Sequence, residues 1–135
     1  MPFCDITIVP VAADRKEAYL RFAERMAKIY RESGASRVTA FWQDAEASAD
    51  KNFHAEDAMA TYANQNLPKF RKLAGAADGE TVVVSITEWP DREARDRGIE
   101  AVVSDPRIQA TMTEEPMFDG GKLIAGGFTV ELDIR

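Results

Sequence analysis

Few side chains in this sequence can do chemistry, and they are scattered. His54 is the only histidine among 135 residues. Imidazole titrates near neutrality without perturbation, so His54 is a candidate general base, or a ligand for a metal or haem. It stands beside Glu56 and Asp57 with no second His or Cys at metal-ligand spacing, and a solvated histidine is the plainer reading. Asp5 lies inside the apolar run Phe3–Val9. A carboxylate there costs stability unless it is satisfied or used. Desolvation would make it a candidate acid or base; otherwise it bonds to backbone, to Thr7 or to an arginine. Glu88 is a second carboxylate at a strand end.

Trp42, Trp89 and Phe128 could line an aromatic pocket or simply fill the core. Arg107 could clamp an anion or pair with Asp105 and Asp119. Thr7 and Ser85 are candidate ligand-binding hydroxyls on strand faces. Cys4 is the single cysteine; it alternates onto the side of Ile6 and Ile8 and reads as a small buried hydrophobe. One His and one distant Cys make no metal site, no phosphate-loop or nucleophile-elbow pattern occurs, and no cofactor is expected.

The elements that must position these groups follow from periodicity. Phe3–Val11 alternates as a strand, with Cys4, Ile6 and Ile8 on one side and Phe3, Asp5, Thr7 and Val9 on the other. Asp14 and Glu17 suggest a capping box. Tyr19, Phe22, Ala23, Met26, Ile29 and Tyr30 form the apolar stripe of a helix that stops at Gly34. Arg37–Gln43 reads as a second strand. Asp44–Gly79 has no strand signal and reads as a partly helical insertion, with helices over Glu56–Asn64 and Leu67–Leu73. Glu80–Trp89 is the third strand.

Asp91 caps the next helix, whose stripe is Ala94, Ile99, Val102 and Val103. Asp105-Pro106 opens a short helix buried through Ile108 and Met112. Lys122–Ile134 is the last strand; Gly126-Gly127 within it suggests a bulge or a close backbone approach.

The order is strand, helix, strand, insertion, strand, helix, strand: the ferredoxin-like βαββαβ plan of the α+β class. It reads as one domain over residues 1–135 with the insertion at 44–79. Two crossover helices on one face leave the other sheet face open. That outward face is expected to carry Phe3, Asp5, Thr7, Val9, Val83, Ser85 and Thr87. A semi-polar face of that kind suits a sheet-to-sheet homodimer.

The closing segments ETVVVSITEWPDREARD, SDPRIQ and FDGGKLIAGGF, with the opening DITIVPVAADRKEAYLRFAERMAKIYRESGA, resemble the DUF1428 family of small bacterial proteins. The resemblance implies the dimeric α/β-barrel superfamily, in which two ferredoxin-like sheets face one another. Relatives by fold include cofactor-free monooxygenases acting on aromatic or polyketide-like substrates. Two positions depart from the family pattern: Gly121 stands where a basic residue usually follows FDG, and Ala125 where an aromatic usually precedes Gly-Gly.

Seventeen Lys and Arg against 23 Asp and Glu give a net charge of −6, which repels a nucleic-acid backbone. The run Lys69–Lys72 is too short to reverse that and reads as a solvated helix face. No apolar run reaches membrane-spanning length. The N-terminus has no signal-peptide pattern; with the lone cysteine, a cytoplasmic location is expected. The function these features suggest is binding of a small organic molecule in a semi-polar cavity by the sheet. The alternatives are a cofactor-independent oxygenase and a ligand-free structural or regulatory dimer.

Overall fold

The computed structural model describes residues 1–44 and 69–135. His54, Pro68 and the helix expected over Glu56–Asn64 lie outside the described residues. Four strands, β1 (Phe3–Ala12), β2 (Arg37–Trp42), β3 (Glu80–Trp89) and β4 (Ile124–Thr129), form one antiparallel sheet in the order β2-β3-β1-β4. The helices are α1 (Lys16–Glu32), α2 (Phe70–Ala74), α3 (Arg92–Ser104) and α4 (Pro106–Thr111). This is the ferredoxin-like arrangement.

Local chemistry accounts for most boundaries. Asp91 accepts from the Ala94 amide at 2.7 Å and starts α3. Asp105 accepts from the Arg107 amide at 2.8 Å, and Pro106 occupies the first turn of α4. The expected capping box of α1 does not form. A 3-10 turn over Ala13–Arg15 leads into the helix, and no side chain caps its first amides. At the other end Gly34 takes φ +114°, and the Arg31 guanidinium donates to the Ala35 and Ser36 carbonyls at 2.8 and 2.6 Å. That turn feeds β2.

The side of the sheet that the helices cover is the reverse of the sequence expectation. Phe3, Asp5, Thr7, Val9 and Val11 face the helices, not the open side. Val9, Val11 and Val83 pack with Tyr19 of α1; Phe3, Trp89 and Ala35 pack with Tyr30 of α1 and Ile99 of α3. Alternation then sends Cys4, Ile6, Ile8, Val84 and Ile86 to the open side, together with Phe41, Ile124 and Phe128. The open face is therefore apolar and not semi-polar. Its polar members include the Arg37–Glu88 pair, 3.9 Å apart, and Thr39. Cys4 is buried there, and burial pushes its thiol up from the ordinary range, with Glu88 and Asp5 adding to the effect.

Two side chains expected in the core are outside it. Val103 is 63% exposed and Met112 83%, because the α3 contact is narrow and α4 ends at Thr111. The last strand is shorter than its alternation suggests: it begins after a 3-10 turn at Gly120–Lys122 and ends at Thr129. Gly126 and Gly127 make no bulge; they pair residue for residue with Ile6 and Asp5. The close approach is real, because a Cβ on Gly127 would lie 2.7 Å from the Phe3 ring.

Gly98 sets the distance of α3 from the sheet. A Cβ there would stand 2.2 Å from the Trp89 ring and 2.9 Å from the Ser33 carbonyl oxygen. Helix propensity alone favours alanine by about 1 kcal/mol, whereas overpacking a well-filled site costs about 1–3 kcal/mol. Gly98→Ala is expected to lower the melting temperature; an unchanged or raised value in a thermal unfolding scan would refute this account of the helix–sheet contact.

Candidate functional site

Size grading along the helix-facing side of the sheet opens a space under α1. Antiparallel register places Ala40, Ser85, Thr7 and Ala125 in one row across all four strands. Val38, Thr87, Asp5 and Gly127 form the next row. Both rows lack bulk beneath the helix. α1 cannot sink onto them, because Val9, Val83 and Trp42 on one side and Phe3 and Trp89 on the other hold it up. The result is a cavity of about 460 Å³.

Its floor is Thr7, Ser85, Thr87, Val38 and Ala40, and its roof is the stripe of α1, including Tyr19, Phe22, Met26 and Tyr30. Phe118 and Leu123 close one flank. Phe118 lies edge-on to Phe22 at 6.4 Å. The segment bearing it is held to α1 by Arg25, which forks onto Glu114 at 2.8 and 3.1 Å, and to the turn before α1 by Arg15 with Glu115 at 3.5 Å. The fork keeps the Glu114 carboxylate below its ordinary range.

Apart from the exposed Glu24 carboxylate, the polar side chains of the wall carry hydroxyls. Burial pushes the Tyr19 phenol up, and a hydrogen bond with Ser85 offsets part of that. Burial pushes Tyr30 up as well; Asp5 adds to the rise and Arg95 opposes it. No side-chain hydrogen bond to protein engages the hydroxyls of Thr7, Thr87 or Tyr30 among the described residues. None of the buried side-chain oxygens or nitrogens among them lacks a partner, so these three oxygens, on residues that line the cavity, keep some accessible surface.

Asp5 sits at the end of this floor and is occupied. Its carboxylate accepts from Trp89 Nε1 at 3.0 Å and from Arg95 Nε and Nη2 at 3.0 Å. Arg95 also lies 5.7 Å from the centre of the Phe3 ring. The carboxylate holds the guanidinium all the more firmly protonated. This is the arginine-paired alternative, with an indole donor that the sequence did not point to. A carboxylate so fully engaged ties β1, β3 and α3 together.

The structure brings Thr7 and Ser85 together at the cavity and separates Trp42, Trp89, Arg107 and Phe128 from it, while His54 lies outside the described residues. Trp89 is 1% exposed, in the core against Tyr30. Trp42 lies tilted against Tyr19, ring centres 6.3 Å apart, beneath Lys16, and faces a separate depression with Arg71 and Thr81. Arg107 is paired with Glu32 at 2.6 Å and Asp105 at 2.8 Å, which holds its guanidinium further above its ordinary range. Phe128 is on the open face. Sequence reasoning missed Tyr19, Tyr30, Thr87 and Arg95 as parts of the site. The available signal was the pair of tyrosines in an otherwise apolar stripe, since a phenol needs somewhere polar to end. Among the described residues no three His, Cys, Asp or Glu side chains converge as a metal site, and no helix is long and apolar enough to cross a membrane.

Comparisons with known proteins agree with this architecture. The chain is similar in fold to SnoaB, a cofactor-independent oxygenase from Streptomyces nogalater, in a mutant form, with a TM-score of 0.54 and 16% identity over 98% of this chain and 96% of that one. It is similar to a dimeric ferredoxin-like protein from an uncultured marine organism, with a TM-score of 0.53 and 12% identity over 98% of each chain. In sequence it is 32% identical over 133 residues to the uncharacterized protein YbaA of Escherichia coli K12, covering 98% of this chain and 99% of the relative. The family model of DUF1428, a protein of unknown function, matches residues 2–120. The chain belongs to the DUF1428 family.

Proposed function

We propose that this chain is a homodimer that binds a small, uncharged organic molecule in the slot between α1 and the sheet. The observation that carries this is the combination of a largely apolar roof with two floor hydroxyls, Thr7 and Thr87, that have no side-chain hydrogen bond among the described residues. The volume of about 460 Å³ lies within the roughly 300–1,000 Å³ typical of small-molecule sites. Hydroxyls both donate and accept, so carbonyl or hydroxyl oxygens on the ligand fit them. Among the described residues an isolated charge finds no unpaired counter-ion there. Asp5 and Arg95 neutralise each other, and Glu24 pairs with Lys28 at 3.5 Å.

The open face supports the dimer. Phe41 and Phe128 are each 51% exposed on it, around the row Ile6, Ile8, Val84 and Ile86. A contiguous apolar patch of this kind calls for a partner, and a second copy covers it with a closed, self-complementary contact. A dimeric neighbour of the same fold is consistent with that. A cytoplasmic location fits the single, buried, unpaired cysteine.

Cofactor-independent oxygenation is the second reading, favoured by likeness in fold to SnoaB. It needs a base on the cavity wall. The Asp5 oxygens are taken, burial holds the phenols of Tyr19 and Tyr30 protonated, and the Glu24 carboxylate on the wall is exposed and paired with Lys28 at 3.5 Å. Binding needs no such group, and it accounts for the slot that a ligand-free dimer leaves without a role.

Two measurements test this. Phe41→Asp combined with Phe128→Asp is expected to sediment as a monomer with unchanged far-ultraviolet circular dichroism; a parent chain that is itself monomeric at micromolar concentration removes the dimer. In a thermal-shift series, 1-naphthol and 1-nonanol are expected to raise the melting temperature with concentration, the added stability reaching about 2.7 kcal/mol at 100 times Kd. The matching carboxylates should not. Ala40→Phe, which fills the floor, should abolish the shift; a shift that survives that substitution, or none with either alcohol, rejects the cavity as the binding site.

A further inference from the structure

Alternation of apolar and polar residues runs without a break through Phe128, Val130, Leu132 and Ile134, against Thr129, Glu131 and Asp133. Yet β4 stops at Thr129. Leu132 is 78% exposed and Ile134 83%. The Val130 amide donates to the Pro2 carbonyl at 3.0 Å. Beyond it, the contacts of this tail among the described residues are local: Thr129 to Glu131 and Arg135 to Asp133. A two-residue period with β-branched and long apolar side chains specifies a half-buried strand. Among the described residues of one copy that strand has no neighbour beyond the Val130–Pro2 bond.

Three observations select a second copy as the neighbour. Strand alternation continued from Phe128 puts Val130, Leu132 and Ile134 on the open side of the sheet, so the tail prolongs the same apolar surface. Six extended residues reach about 20 Å, and facing sheets stack about 10 Å apart, so the tail can leave its own sheet and still run along the opposite one. In a two-fold pair the exchange is reciprocal, and one closed contact covers both open faces and both tails. A different protein would have to supply a face of matching kind and would leave the second tail bare.

We infer that residues 130–135 cross to a second copy, add to an edge of its sheet as a strand, and pack Leu132 and Ile134 against its open face. This rests on the dimer proposed above. Hydrogen exchange on the full chain tests it. In the dimer the amides of 131–135 should exchange on the order of 100-fold slower than in the Phe41→Asp/Phe128→Asp variant. Leu132→Asp with Ile134→Asp should raise the dimer Kd by roughly 10²–10⁴-fold, as the loss of two buried aliphatic side chains requires. A dimer whose tail amides exchange freely, or a tail equally protected in the variant, overturns the exchange and leaves the dimer standing. A monomeric parent overturns both.

Discussion

The Asp5 carboxylate is the joint on which this structure turns. It sits on β1, takes the indole N–H of Trp89 on β3, and takes two nitrogens of Arg95 on α3. Its side chain is 19% exposed and that of Arg95 33%. Charge-assisted bonds of this kind are directional and strong where water is partly excluded. They fix Trp89 in the plane that Gly98 must accommodate, and so fix the height of α3 above the sheet. A charged residue in an apolar strand is thus accounted for as architecture.

That joint also explains where the empty space lies. With Phe3 and Trp89 filling one end under the helices and Val9, Val11, Val83 and Tyr19 the other, the small residues between them cannot be reached by collapse of α1. Packed interiors leave few voids larger than a water molecule. A cavity of about 460 Å³ bounded by hydroxyls and rings is therefore a property of this row of residues, in which Thr7, Ser85, Ala40 and Ala125 are all small.

Much of the fold was legible in the sequence because its signals are local. The two-residue period marked β1 and β3 nearly to the residue, the three-to-four-residue period marked α1, and Asp91, Asp105 and Pro106 marked the later helix starts. The site was less legible. Thr7 and Ser85 were among the candidates, but Tyr19 and Tyr30 passed as core because a stripe looks the same whether it packs on side chains or over a gap. Arg95 is 90 residues from Asp5, a separation at which sequence spacing carries no information.

The sequence by itself determined the order of elements, the family, and which residues of each strand share a side. It could not determine which side meets the helices. Alternation is symmetric: Cys4, Ile6 and Ile8 are as apolar a set as Phe3, Val9 and Val11, and the period is satisfied by either assignment. Only tertiary packing broke that symmetry. The larger rings of Phe3 and Trp89 need the volume beneath α1 and α3, and Asp5 needs Arg95 on the same side. That choice turned the semi-polar face inward as a cavity and left the apolar one open.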